Sequence, residues 1–100
     1  MQIGFLIINP EFVDSIFELL EASLKRGHSI RVFMTDAGVK LLENKLMLIH
    51  ASSLKIQINF CSHSAKKHHV DTSILPKEMV PSTQYQNALM HNECDRVLIF

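Results

Sequence analysis

The sequence predicts an α/β domain: an open sheet of mainly parallel strands, formed as a single unit over residues 1–100. Three observations predict it. Short apolar or alternating segments recur between stretches of helical spacing, in the order strand, helix, strand, helix, strand, helix, loop, helix, strand. The first of these segments is apolar throughout, as a strand covered on both faces is. The chain has 100 residues, 47% hydrophobic and 20% charged, which suffices for one cored domain.

Each element has a local reason. Ile3 to Ile8 is the continuous apolar run. Asn9-Pro10-Glu11 then reads as a helix start, with Asn9 as cap, Pro10 in the first helical position and Glu11 at the positive end of the dipole. Phe12, Ile16, Leu19, Leu20 and Leu24 follow at helical spacing beside Val13 and Phe17, and the stripe of Phe12, Ile16, Phe17 and Leu20 is expected in the core. Lys25 and Arg26 sit in the last turn and Gly27 stops the helix. Ser29 to Met34 is a second strand, with Ile30 and Val32 on one face. Asp36 is the expected cap of a helix running through Leu41, Leu42 and Leu46. Leu46-Met47-Leu48-Ile49 is too apolar for a solvated loop and is expected to end that helix, packed on the core or on another subunit. Leu54 to Phe60 alternates with period two, the clearest such pattern in the chain. Ser62 or Ser64 can cap a short helix beyond it. Ile74-Leu75 and Met79-Val80, around Pro76 and before Pro81, read as irregular or edge structure. Ser82 or Thr83 starts a last helix containing Tyr85, Ala88 and Leu89, and Arg96 to Phe100 is the final strand.

Composition narrows the function. Ten Lys and Arg balance ten Asp and Glu, for a formal charge of zero. That argues against a nucleic-acid binder held by bulk electrostatics and against a polybasic membrane patch. Near-zero charge at this apolar content points to a surface covered by a partner. Two cysteines, Cys61 and Cys94, are too few for a disulfide framework, so free thiols in a reducing compartment are expected. Met1-Gln2-Ile3-Gly4-Phe5 lacks the basic region of a signal peptide. No run approaches the roughly 18 apolar residues of a bilayer span. A soluble cytoplasmic protein is the expectation.

In open α/β sheets reactive groups gather past the carboxyl ends of strands. Asn9-Pro10, Thr35-Asp36 and Cys61-Ser62-His63 all fall there. Cys61 is the strongest candidate. A cysteine between a strand end and a helix start meets backbone N–H groups that favour the thiolate. His63, Lys66, Lys67, His68 and His69 add cationic character nearby. The competing reading is a small buried hydrophobe closing the strand. Cys94 lies in Asn92-Glu93-Cys94-Asp95, whose acidic residues disfavour a thiolate. The histidines His63, His68 and His69 are candidate metal ligands by type, but their spacing with the cysteines matches no closed zinc motif. Ser62 and Ser64 lack a Gly-x-Ser-x-Gly elbow. With only Gly4, Gly27 and Gly38 there is no phosphate-binding glycine loop.

Several of these segments together resemble the DsrE/DsrF-like family, which includes the TusD- and TusC-type sulfur-relay subunits. The resemblance is carried by Phe33-Met34-Thr35-Asp36-Ala37-Gly38-Val39, by Cys61-Ser62-His63-Ser64-Ala65, and by Ser82-Thr83-Gln84-Tyr85 leading to Cys94-Asp95-Arg96-Val97-Leu98-Ile99-Phe100. It spans nearly the whole chain, and the order of the segments is more specific than any one of them. The resemblance implies a five-stranded, mostly parallel sheet with helices on both faces, assembled into homo- or hetero-oligomers, as trimers or hexamers. It implies a cysteine after the third strand that holds a persulfide, a place that Cys61 occupies here. It also implies partners among other sulfur carriers of the TusA or rhodanese kind, alongside DsrE-like subunits.

The sequence-based expectation is a persulfide carrier, or sulfurtransferase subunit, with Cys61 as the sulfur acceptor. His63, Ser64 and Lys66 are expected to support the charge on the sulfur, with no metal or organic cofactor. The alternatives are a non-catalytic subunit whose role is assembly, as some members of that family are, and a metal- or pH-responsive module built on the histidines.

Overall fold

Residues 1–100 are all described by the structure, a computed structural model. Five strands form one sheet in the order β4-β3-β2-β1-β5. They are β1 (Gln2–Ile7), β2 (Ser29–Met34), β3 (Ile58–Cys61), β4 (Met79–Ser82) and β5 (Arg96–Ile99). The helices are α1 (Val13–Lys25), α2 (Lys45–Leu54), α3 (Ser62–Lys67) and α4 (Gln84–Glu93), and 3₁₀ segments run over Pro10–Phe12 and Asp36–Glu43. All four strand pairings are parallel, so the expected α/β class holds with no antiparallel exception. No helix is long and apolar enough to cross a membrane.

The strand order explains where the helices lie. From β1 to β4 each strand is laid down beside the last, and from β4 to β5 the chain returns across the sheet to the far side of β1. Crossovers between parallel strands are right-handed, so reversing the direction of travel puts the return helix on the other face. Side-chain alternation agrees. Phe5 and Ile7, Val32 and Met34, and Ile58 and Phe60 face the main core, where Ile16, Phe17 and Leu20 of α1 pack. Leu6, Phe33 and Cys61 point the other way and form a smaller cluster with Met90 of α4. Burying each of the large aliphatic or aromatic side chains contributes about 1.5–3 kcal/mol.

Several local expectations are corrected. Asn9 does cap, accepting the Glu11 N–H, but what it starts is the 3₁₀ turn of Pro10–Phe12. Phe12 therefore sits ahead of α1 and is half exposed instead of joining the core stripe. Asp36 caps nothing. It adopts a left-handed backbone at φ 49° and opens the 3₁₀ segment Asp36–Glu43. α2 has its own start, because Asn44 Oδ1 accepts from both Leu46 N and Met47 N. The segment Leu46 to Ile49 thus begins a helix instead of ending one, with Met47 in the core and Leu46 and Ile49 exposed. α2 continues through Leu54, and Lys55 ends it in the left-handed region. The period-two strand from Leu54 to Phe60 shrinks accordingly to Ile58–Cys61. Gly27, at φ 81°, closes α1 as expected, with its N–H bonded to Leu24 O.

Of the two expectations for Met79-Val80, the edge strand is the outcome. Ile58 N–H donates to Glu78 O. In a parallel ladder this parity turns the N–H groups of Val80 and Ser82 toward β3, and the nitrogen of Pro81 outward. Thr83 caps α4, its hydroxyl accepting the Tyr85 N–H.

Candidate functional site

The carboxyl ends of β2, β3 and β4 converge on one sulfur. Cys61 is the last residue of β3 and also the N-cap of α3, a role expected of Ser62 or Ser64. The cap bond runs from Ser64 N–H to Cys61 Sγ at 3.4 Å. A strand that ends in an alternating pattern turns Cys61 onto the α4 face, among Leu6, Phe33 and Met90. Its exposure is 7%.

A polar network surrounds this sulfur. Ser64 is buried, and its Oγ accepts the backbone N–H of Asp36 at 3.0 Å, tying α3 to the segment after β2. Thr35 Oγ1, also buried, lies 3.4 Å from Ser64 Oγ and accepts from Gln84 Nε2 at 3.0 Å. Gln84 Oε1 in turn accepts from Asn87 Nδ2 at 3.2 Å. Asn59 and Ser82 are linked across β3 and β4 by a 2.9 Å bond from the Ser82 hydroxyl.

The two thiols differ in kind. Burial pushes the Cys61 thiol up, but hydrogen bonds from the Ser64 side chain and backbone, the Gln84 side chain and the His63 backbone outweigh it. The Cys61 thiol ends below its ordinary value. At Cys94 burial pushes the thiol up. The Arg31 guanidinium opposes that shift, while the Asp95 and Glu93 carboxylates add to it, and Cys94 ends above its ordinary value. Both cysteines are free.

Of the residues singled out in the sequence, Ser64 stands against the sulfur. His63 is exposed and acts on the thiol through its backbone N–H. The side-chain charges of His63 and Lys66 are not among the influences on Cys61, which are hydrogen bonds from neutral groups. Lys66 instead lines a cavity of about 270 Å³ with Phe60, Ser62, Ala65, Val70, Thr72 and Pro81. Phe60 and Ala65 belong to the main core, so this cavity lies away from the face that carries Cys61. The histidines His63, His68 and His69 do not gather: nowhere do three His, Cys, Asp or Glu side chains converge as a metal would require. Asn9-Pro10, the third strand end of interest, is held by Ile8 N–H and Asn9 N–H bonded to Phe100 O and takes no part in the network.

Thr35 was singled out by its place at a strand end, whereas sequence reasoning missed Gln84 and Asn87 as members of this site. Gln84 lay in a quoted segment, but neither it nor Asn87 is a reactive residue type. Only the strand order brings them to Cys61.

No family model and no curated relative matches this sequence. Solved structures do. The ychN protein from E. coli superposes with a TM-score of 0.79 over 100% of both chains, at 15% sequence identity. MTH1491 from Methanobacterium thermoautotrophicum, a protein of unknown function, gives 0.66 over 99% of this chain and 98% of its own, at 16% identity. The chain thus has the five-stranded parallel α/β fold of these YchN-like structures.

Proposed function

We propose that this chain is a persulfide carrier, a sulfurtransferase subunit of a sulfur relay, with Cys61 as its sulfur acceptor. The observation that carries the reading is the set of neutral hydrogen-bond donors gathered on Cys61 at the carboxyl end of a parallel strand, which lowers its thiol while Cys94 is raised. The DsrE/YchN-like fold and the ordered segments around Thr35, Cys61 and Gln84 support it.

The chemistry needs one thiolate. Cys61 Sγ attacks the outer sulfur of a donor persulfide, the donor S–S bond breaks, and the donor leaves as a thiolate. Cys61 then holds one extra sulfur. An acceptor thiolate attacks that sulfur, and Cys61 leaves as a thiolate in turn. Each step exchanges one S–S bond for another, so there is no net oxidation and no cofactor. Cys61 is 7% exposed, so loading requires the donor sulfur to reach a nearly covered Sγ, whereas the loaded form carries its reactive atom one S–S bond, about 2.05 Å, farther out. The partners are other sulfur carriers of the TusA or rhodanese kind, reached from a homo- or hetero-oligomer of DsrE-like subunits.

The test is intact-mass spectrometry after incubation with inorganic polysulfide. A reductant-labile gain of one sulfur (about 32 Da) is expected on the wild type and on Cys94→Ser, and is expected to be lost in Cys61→Ser. No gain on a folded wild type whose Cys61 still alkylates overturns the reading. One observation favours a second reading, a non-catalytic subunit: the sulfur packs among Leu6, Phe33 and Met90. On that reading Cys61→Ser leaves pathway activity and assembly unchanged.

A further inference from the structure

We propose that Gln84 is the positioning residue of the Cys61 site: held between Asn87 and Thr35, its amide steadies Thr35 and, through it, the Ser64 side chain, whose own backbone N–H donates to the sulfur. The inference deepens the carrier reading and rests on it only for its purpose.

The argument is one of proton directions. An amide side chain has a fixed acceptor end and a fixed donor end, whereas a hydroxyl turns to suit its neighbours. Gln84 Oε1 accepts from Asn87 Nδ2, so Nε2 faces Thr35 and donates to Oγ1. The other side of Asn87 is unmatched, because its Oδ1 is buried without a partner. Having accepted from Gln84, Thr35 has its own proton to give, and Ser64 Oγ lies next. Ser64 Oγ already accepts from Asp36 N–H, so its own proton is also free to point onward. Each member accepts from behind and donates ahead, and such chains polarise toward their terminal acceptor. The chain ends at Ser64, whose backbone N–H meets Sγ at 3.4 Å, and the Ser64 and Gln84 side chains both help to lower the thiol. None of these groups carries a charge. The relay also links two faces of the site, since Gln84 and Asn87 ride on α4 while Ser64 belongs to α3.

The experiment is the pH profile of iodoacetamide alkylation, read separately at Cys61 and Cys94. Gln84→Ala is expected to slow Cys61 alkylation at neutral pH by about tenfold and to move its midpoint upward, with Cys94 unchanged. Thr35→Val, which keeps the shape and removes the hydroxyl, is expected to do the same. The double variant is expected to be no slower than either single one, the mark of residues acting as a unit. Gln84→Met, which keeps the length without a donor, replaces Gln84→Ala if the latter folds poorly. A Gln84 variant that superimposes on wild type overturns the proposal, and so do effects that simply add. The outcome is separable from the carrier reading: a shifted profile on a protein that gains no sulfur keeps the positioning role and removes the carrier, and the reverse result removes only the positioning role.

Discussion

Replacing Ser64 by Ala removes one oxygen that serves two structures at once. The first is the turn after β2. Asp36 holds a left-handed backbone, and its N–H is satisfied by Ser64 Oγ at 3.0 Å. Without that acceptor the donor is orphaned in a half-buried position, which costs about 1–2 kcal/mol, the lower part of the range for such groups. For a domain of this length each kcal/mol lowers the melting temperature by about 4–8 °C, so a fall of about 4–16 °C is expected. The second structure is the thiol. Ser64→Ala deletes the hydroxyl donor but keeps the backbone N–H on Cys61 Sγ, so the Cys61 thiol moves up toward its ordinary value without losing all of its support. Circular-dichroism melting reads the first effect, and the pH profile of Cys61 alkylation reads the second. A variant that melts within about 2 °C of wild type and alkylates on the same profile would refute the description of Ser64 as the tie between β2, α3 and the sulfur.

Two further predictions follow from packing and from charge. A Cβ at Gly38 would overlap the Ile7 carbonyl oxygen and lie 2.6 Å from its carbon, both backbone atoms, so Gly38→Ala is expected to destabilise by about 3 kcal/mol. Gly4→Ala meets the movable Met90 side chain at 2.9 Å and is expected to lose only about 1 kcal/mol; equal melting temperatures for the two variants would contradict this. The folded Cys61 thiol deprotonates at lower pH than the unfolded one, so over that window the unfolded chain binds more protons and stability rises with pH. That contribution is present above the unfolded value and is lost as pH falls through the folded one. Cys94 has the opposite sign: its contribution is present below the unfolded value and is lost as pH rises through its raised folded value. Urea unfolding from about pH 6 to pH 8.5 checks the first, with Cys61→Ser flattening the rise, and from about pH 8.5 to pH 10.5 the second, with Cys94→Ser reducing the decline.

The alternation of apolar strands and amphipathic helices made the α/β class legible, because β1 is buried on both faces and Gly27 ends α1 where its sequence says it should. The boundaries that failed have a common cause, namely a short-range pattern overridden by a cap. Leu54 and Ile56 fit a strand by period, yet Asn44 starts a helix ten residues upstream and its last turn consumes Leu54. Asp36 has the chemistry of a cap, yet Thr35 takes the N-cap position and Asp36 adopts the left-handed region as the first residue of the 3₁₀ segment. Cys61 was legible as a candidate because a strand end beside a helix start is a local feature. Thr35 was marked by its own strand end, but its meeting with Cys61 and with Gln84 was not legible, because Thr35 and Gln84 lie 26 and 23 residues from the cysteine and meet it only through the strand order. The expected support from Lys66 failed for a related reason: five residues along α3, its side chain lines a cavity on the main-core side of the sheet.

Pro81 has a consequence beyond its own strand. A second molecule trying to extend the sheet from the β4 side would arrive at a rail of backbone groups with one rung gone and a pyrrolidine ring standing in its place. Fibril-like stacking through that margin is thereby discouraged by a single imide, without any charge being spent on the task.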